Sequence, residues 1–126
     1  MKTIILDTSF LVACAEFNID YYSEIMRILN EKYVLAIIDK TINELDSLIA
    51  NGKKQALHAK LAKSILLKKK VEVIKTSNNT YVDLLILKQA TPEYLVATID
   101  VELKAELKKK NVGVIVIRQK KYLEMS

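Results

Sequence analysis

The sequence predicts an α/β fold, a three-layer α/β/α sandwich around a central, mostly parallel five-stranded sheet. Two observations carry this. Short apolar runs alternate along the chain with longer segments whose apolar residues recur at helical spacing. The short runs are apolar throughout rather than alternating, as parallel strands buried on both faces require. With 126 residues, two glycines, one proline and no repeat or linker, residues 1–126 read as one domain.

The first predicted strand is TIIL at 3–6, and it ends on Asp7-Thr8-Ser9. An apolar segment holding Cys14 follows. Tyr21, Ile25, Ile28 and Leu29 then mark one helix face, with Tyr22 and Met26 beside it. YVLAII at 33–38 is the second strand. In TINELDSLIANG, Thr41 and Glu44 make a capping-box pattern and Asn51-Gly52 closes the helix. Ala56, Leu57, Leu61, Ile65 and Leu66 define the next helix, with lysines between them. VEVI at 71–74, YLVAT at 94–98 and VIVI at 114–117 complete the strands. Helices at 81–90 and 101–110 separate them, with Pro92 and Gly113 marking the returns to the sheet. Residues 119–126 read as a basic tail with no assigned element.

Composition narrows the function classes. Apolar residues are 51% of the chain, an ordinary globular mixture. The single cysteine excludes an internal disulfide and a cysteine-rich metal site, which suits a reducing compartment. MKTII, interrupted by Asp7, is a poor signal peptide, and no apolar run approaches the ~20 residues of a membrane span. A cytoplasmic protein without a membrane partner is expected. The net charge of +5 leans toward polyanions. Positions 53–70 hold seven lysines and no acid; positions 104–121 hold six lysines and Arg118 against Glu106 alone. Solvated helix faces explain lysine runs in general, but two segregated basic segments also point to nucleic acid.

In an open parallel sheet, ligands sit beyond the carboxyl ends of the strands. Asp7, Asp39 with Glu44, Asp83, and Asp100 with Glu102 follow four of the five predicted strands. Each has a plain explanation, because carboxylates suit the first turn of a helix. If strands one and four are neighbours, however, Asp7, Glu44, Asp83 and Asp100 converge on one pocket. Converging carboxylates need compensation, and oxygen-only ligands favour Mg²⁺ or Mn²⁺. That chemistry suits phosphodiester hydrolysis. His58 is the only histidine, and no glycine-rich phosphate loop is present. Cys14, in its apolar segment, reads as core rather than nucleophile.

The order LDTS, TINELD, TYVDLLI and VATID resembles the PIN domain nucleases, over nearly the whole chain from Ile4 to about Tyr122. The resemblance implies a metal-dependent endoribonuclease with Asp7, Glu44, Asp83 and Asp100 as catalytic and metal residues. Asp7, Asp83 and Asp100 would hold one or two Mg²⁺ or Mn²⁺ ions, and Glu44 would bind metal or orient water. Thr8, Ser9, Thr98 and Glu102 would support them. TYVDLLI, VATIDVELK and IVIRQKKYLEM further resemble the branch of archaeal stand-alone PIN proteins and the eukaryotic nuclease of small-subunit rRNA maturation. Where that branch has a second aspartate and then Asp-Arg-Asp, this chain has Leu84 and then Val101-Glu102, which lowers the charge density for a second metal. Asp39 reads as a cap for the helix at Thr41.

RNA is the expected partner. Lys53, Lys54, Arg118, Lys120 and Lys121 would hold its backbone, and Tyr122 would stack on a base or pack on the sheet edge. A VapC-like toxin restrained by an antitoxin is the alternative role, and a non-catalytic RNA-binding or assembly domain is the alternative class. A homodimer through the apolar helices near 10–30 and a ribosome-assembly partner follow by the same analogy. A receiver-like regulator with an acidic Mg²⁺ pocket fits less well, because it has no use for Asp83.

Overall fold

The computed structural model describes residues 1–126. The chain runs β1 (Lys2–Leu6), α1 (Thr8–Glu16), α2 (Tyr21–Ile28), β2 (Tyr33–Ile38), α3 (Thr41–Ala50), α4 (Ala56–Lys68), β3 (Glu72–Ile74), α5 (Val82–Gln89), β4 (Tyr94–Ala97), α6 (Val101–Lys109), β5 (Gly113–Arg118) and β6 (Tyr122–Met125). The five predicted strands are present. The sheet has six strands in the order β3-β2-β1-β4-β5-β6. β1 to β5 are parallel, and β6 is antiparallel to β5. The sixth strand corrects the reading of 119–126 as an unassigned tail. Tyr122 is half-buried in that strand.

β1, β2, β4 and β5 are apolar because each feeds two cores, whereas the edge strands β3 and β6 are largely exposed. Ile4, Leu6, Leu35, Ile37, Leu95, Ala97 and Ile115 enter one, with residues of α1, α2, α3 and α4. Ile5, Ile38, Val96, Val114 and Val116 enter the other, with residues of α5 and α6. The period of two along each strand sends alternate side chains to opposite helical layers. Cys14 belongs to the first core, and burial pushes its thiol up to about 12, which leaves it inert as a nucleophile. No helix is long and apolar enough to cross a membrane.

Two local expectations hold at the turns. Gly52 takes φ +64° after α3, where a side chain would be strained. Gly113 starts β5 where a Cβ would stand 2.6 Å from Leu95 Cδ2.

The predicted capping box is not formed. Lys40 occupies the cap position of α3, and Thr41 Oγ1 is buried without a partner. Asp39 does not cap α3 either. Its carboxylate accepts from Thr76 N (3.0 Å) and Thr76 Oγ1 (2.7 Å), tying the segment after β3 to the end of β2.

The chain proceeds outward from β1 in both directions: β2 and β3 lie on one side, β4 and β5 on the other. The switch point therefore falls between the carboxyl ends of β1 and β4, where an open parallel sheet presents its ligand crevice.

Candidate active site

The β1–β4 ladder runs up to Asp7, whose N–H donates to Ala97 O at 3.0 Å. The chain then turns into α1, and Asp7 occupies its cap position without making a side-chain cap bond. The carboxylate is used elsewhere. Ser9 Oγ and Thr98 Oγ1 both donate to Oδ2, each at 2.7 Å. Asp7 is only 4% exposed. Burial raises its pKa above the usual carboxylate range; the Thr98 and Ser9 hydroxyl bonds pull the other way, and the charge of Glu44 raises it further. Thr98 also accepts from Asp100 N at 3.0 Å, so one buried hydroxyl joins the two strand-end acids.

The other acids come from helix starts. Asp100 caps α6, with Oδ1 accepting from Glu102 N (2.9 Å) and Leu103 N (3.1 Å). Asp83 stands in the first turn of α5, and its Oδ1 accepts from Leu84 N at 3.0 Å. Glu44 reaches out of α3 to the start of α5, where Oε2 accepts from Val82 N at 3.1 Å. A non-local donor thus takes the carboxylate that the capping box claimed. In each acid one oxygen is anchored by these bonds and the other takes no part in them.

All four acids, with Thr8 and Ser9, line one cleft of about 590 Å³. Glu16 joins them as a fifth acid, and no lysine, arginine or histidine lines the cleft. Leu84 and Ile99 contribute exposed apolar surface to its walls. Thr8 Oγ1 is buried in it with no protein partner. This is a hard-oxygen donor set with uncompensated negative charge and an orphaned hydroxyl, and it fits a divalent cation in kind. No three acids form a ready-made metal-holding group. The fit rests on the chemistry of the donors and not on a preformed carboxylate cage.

Other predicted residues lie outside the cleft wall. Glu102 is exposed on α6 and meets the site only through its N–H to Asp100. Lys53 and Lys54 are exposed between α3 and α4. Arg118 Nε pairs with Glu124 Oε2 at 2.6 Å across the β5–β6 hairpin. Lys121 is exposed in that hairpin's turn, and Lys120 Nζ lies 5.4 Å from the ring centroid of Phe17, a cleft residue.

Glu16, Gln55 and Tyr81 line the cleft and were not among the expected residues. A signal for Glu16 existed: Ser9, Val12, Ala13 and Glu16 fall at three- and four-residue spacing on one face of α1, and all four line the cleft. Tyr81, just before α5, carried no comparable signal.

The chain matches one family profile and is similar to three known proteins. A family profile described as a PIN-like domain matches residues 4–120. The chain is 38% identical to Ribonuclease VapC4 of Methanocaldococcus jannaschii, over 99% of this chain and 97% of that protein. The solved structure of the PIN domain endonuclease Utp24 matches with a TM-score of 0.83 at 26% identity, covering 98% of this chain and 90% of the other. VapBC2 from Rickettsia felis, solved with a DNA fragment from its promoter, matches with a TM-score of 0.65 over 92% of this chain and 99% of that one. At 19% identity the last likeness shows the fold alone.

Proposed function

The chain belongs to the PIN-like domain family, and from that premise we propose that it is a ribonuclease hydrolysing RNA phosphodiester bonds at the acidic cleft. The observation that carries this is the placement of Asp7, Glu44, Asp83 and Asp100 on one cleft at the sheet's switch point, with no basic side chain to neutralise them. The similarity to a named ribonuclease and a named endonuclease over nearly the full chain supports it.

We further propose dependence on Mg²⁺ or Mn²⁺, held by Asp7, Asp83 and Asp100 with Glu44 as a further ligand or a water-orienting base. When bound, such an ion would supply Lewis acidity toward a phosphate oxygen and lower the pKa of a water, whose proton a base such as Glu44 would take. The protein's share is positioning. Ser9 and Thr98 fix the Asp7 carboxylate, Thr98 links it to Asp100, and the α5 N–H groups hold Glu44 and Asp83. Lys53, Lys54, Lys120 and Lys121 supply sequence-independent contacts to the RNA backbone. Arg118 has less to offer, being engaged with Glu124.

The test uses a labelled RNA with hairpin and single-stranded parts, in Mn²⁺, Mg²⁺ or chelator, beside Asp7→Asn. Metal-dependent cutting that the variant lacks is the expected result. RNA binding without cutting by either protein would favour the non-catalytic class. For the biological role, the motifs point to RNA maturation, whereas the likeness to VapC4 favours a toxin with an antitoxin partner. Growth arrest on expression, relieved by a neighbouring gene's product, would decide for the toxin.

A further inference from the structure

A second cavity, about 560 Å³, adjoins the acidic cleft, and the two share Glu44 and Tyr81 as lining residues. Its other walls are Lys40, Asn43, Asn79 and Thr80. Its chemistry differs from that of the cleft. Beside the shared Glu44 it holds one cation, two side-chain amides and a hydroxyl, with the shared Tyr81 ring, so its single acid is matched by Lys40, where the cleft holds five acids and no cation.

We propose that this cavity is a nucleotide subsite that seats the base beside the cleaved phosphate of a single-stranded RNA. The inference rests on the ribonuclease reading above and adds a specificity element to it.

Three observations carry it. Tyr81 is 73% exposed, an unusual placement for a large aromatic, and it stands on the boundary between the two cavities. An open aromatic face next to a phosphate-processing site suits an unstacked base. Asn43 and Asn79 are exposed and take no part in the bonds that hold the loop, so their amides remain for a base edge. Lys40 Nζ sits 3.6 Å from Asp39 Oδ2, a loose ion pair that leaves donor capacity for a phosphate oxygen.

The subsite is also held in place. The segment carrying Asn79, Thr80 and Tyr81 is tied at one side by Asp39 to Thr76 and at the other by Glu44 to Val82 N. Glu44 thus anchors the backbone next to Tyr81, and its carboxylate lines the cleft. That coupling sets the base platform and the acids in one frame.

The probe is a short single-stranded RNA carrying one 2-aminopurine, moved through successive positions. Stacking on Tyr81 quenches its fluorescence. Binding is measured in an Asp7→Asn background, where the RNA stays intact, and cleavage is measured separately in the otherwise wild-type chain. The expected result is a quench at one position only. It is lost in Tyr81→Ala and kept in Tyr81→Phe, and Tyr81→Ala raises KM about tenfold, more than it lowers kcat. Asn43→Ala with Asn79→Ala should flatten the base preference at that same position. Unchanged quenching and KM in Tyr81→Ala would overturn the subsite while leaving the nuclease reading standing. Absence of cleavage in the wild type would overturn the nuclease reading alone, because the quench in the binding arm still decides the subsite.

Discussion

Asp7 carries a cost that its position explains. A buried carboxylate whose pKa is raised is destabilising when ionised. Below the ordinary value of 3.8 the group is protonated in both the folded and unfolded states and imposes no penalty. As pH rises from there to the higher folded-state pKa, the unfolded chain releases its proton first and stability falls; above that pKa the penalty is constant. Asp7→Asn removes the charge and keeps the shape. In chelator the variant is therefore expected to be more stable than the wild type by about 1 kcal/mol at neutral pH, with the difference vanishing toward pH 3, by thermal or denaturant unfolding across pH. It should cut no RNA. At this scale the four acids were legible, because strand ends and helix starts are places that sequence marks. The partners of Glu44 and Asp39 were not. Val82 and Thr76 lie on other elements, brought near only by the sheet order. A local capping rule cannot see a competing donor that distant in sequence.

The least legible element was β6. Strands buried on both faces announce themselves by continuous apolar residues, but an antiparallel edge strand such as YLEM buries only Leu123 fully. Its hairpin turn also hides. Gln119 and Lys120 both take positive φ, the conformation of a type I′ turn, yet neither is the asparagine or glycine that usually flags one. The strand is held by more than its ladder. Leu123 N donates to Glu24 Oε1 at 2.9 Å, Leu123 O accepts from Arg27 Nη2 at 2.8 Å, and Glu24 and Arg27 pair with each other. The α2 side chains thereby satisfy edge groups that would otherwise invite another strand. Leu123→Ala is expected to cost about 2–5 kcal/mol, a core truncation rather than a tail trimming. Denaturant unfolding checks this, and a cost within ~0.5 kcal/mol, the range of an ordinary surface substitution, would restore the view of 119–126 as a basic tail outside the core.

Across the whole molecule, the acidic cleft and the lysine-rich surface lie apart. The cleft gathers acids and excludes basic side chains, while lysines occupy α4, the end of α6 and the β5–β6 turn. On the ribonuclease reading proposed above, the positive surface would draw in RNA, and the acidic cleft would repel its phosphates until a cation neutralised it. In the Asp7→Asn background, RNA affinity should fall linearly with salt on logarithmic axes. Lys53→Ala with Lys54→Ala, or Lys120→Ala, should reduce the slope by roughly 0.7 for each phosphate no longer neutralised. Binding titrations at several salt concentrations read this directly. The layered fold and the shared cleft followed from strand–helix alternation and acid placement. The neighbouring cavity did not, because its residues come from the start of α3 and the loop before α5, and no spacing rule connects them.

In the function proposed above, Asp7, Glu44, Asp83 and Asp100 act together as one cation-holding site. The most direct measurement is Mn²⁺ binding by electron paramagnetic resonance, on the wild type and on the four single variants Asp7→Asn, Glu44→Gln, Asp83→Asn and Asp100→Asn. Saturable binding by the wild type is expected, weakened at least about tenfold by Asp7→Asn and to a smaller degree by each of the others. Binding that none of the four substitutions alters, or no binding by the wild type at millimolar Mn²⁺, would contradict it.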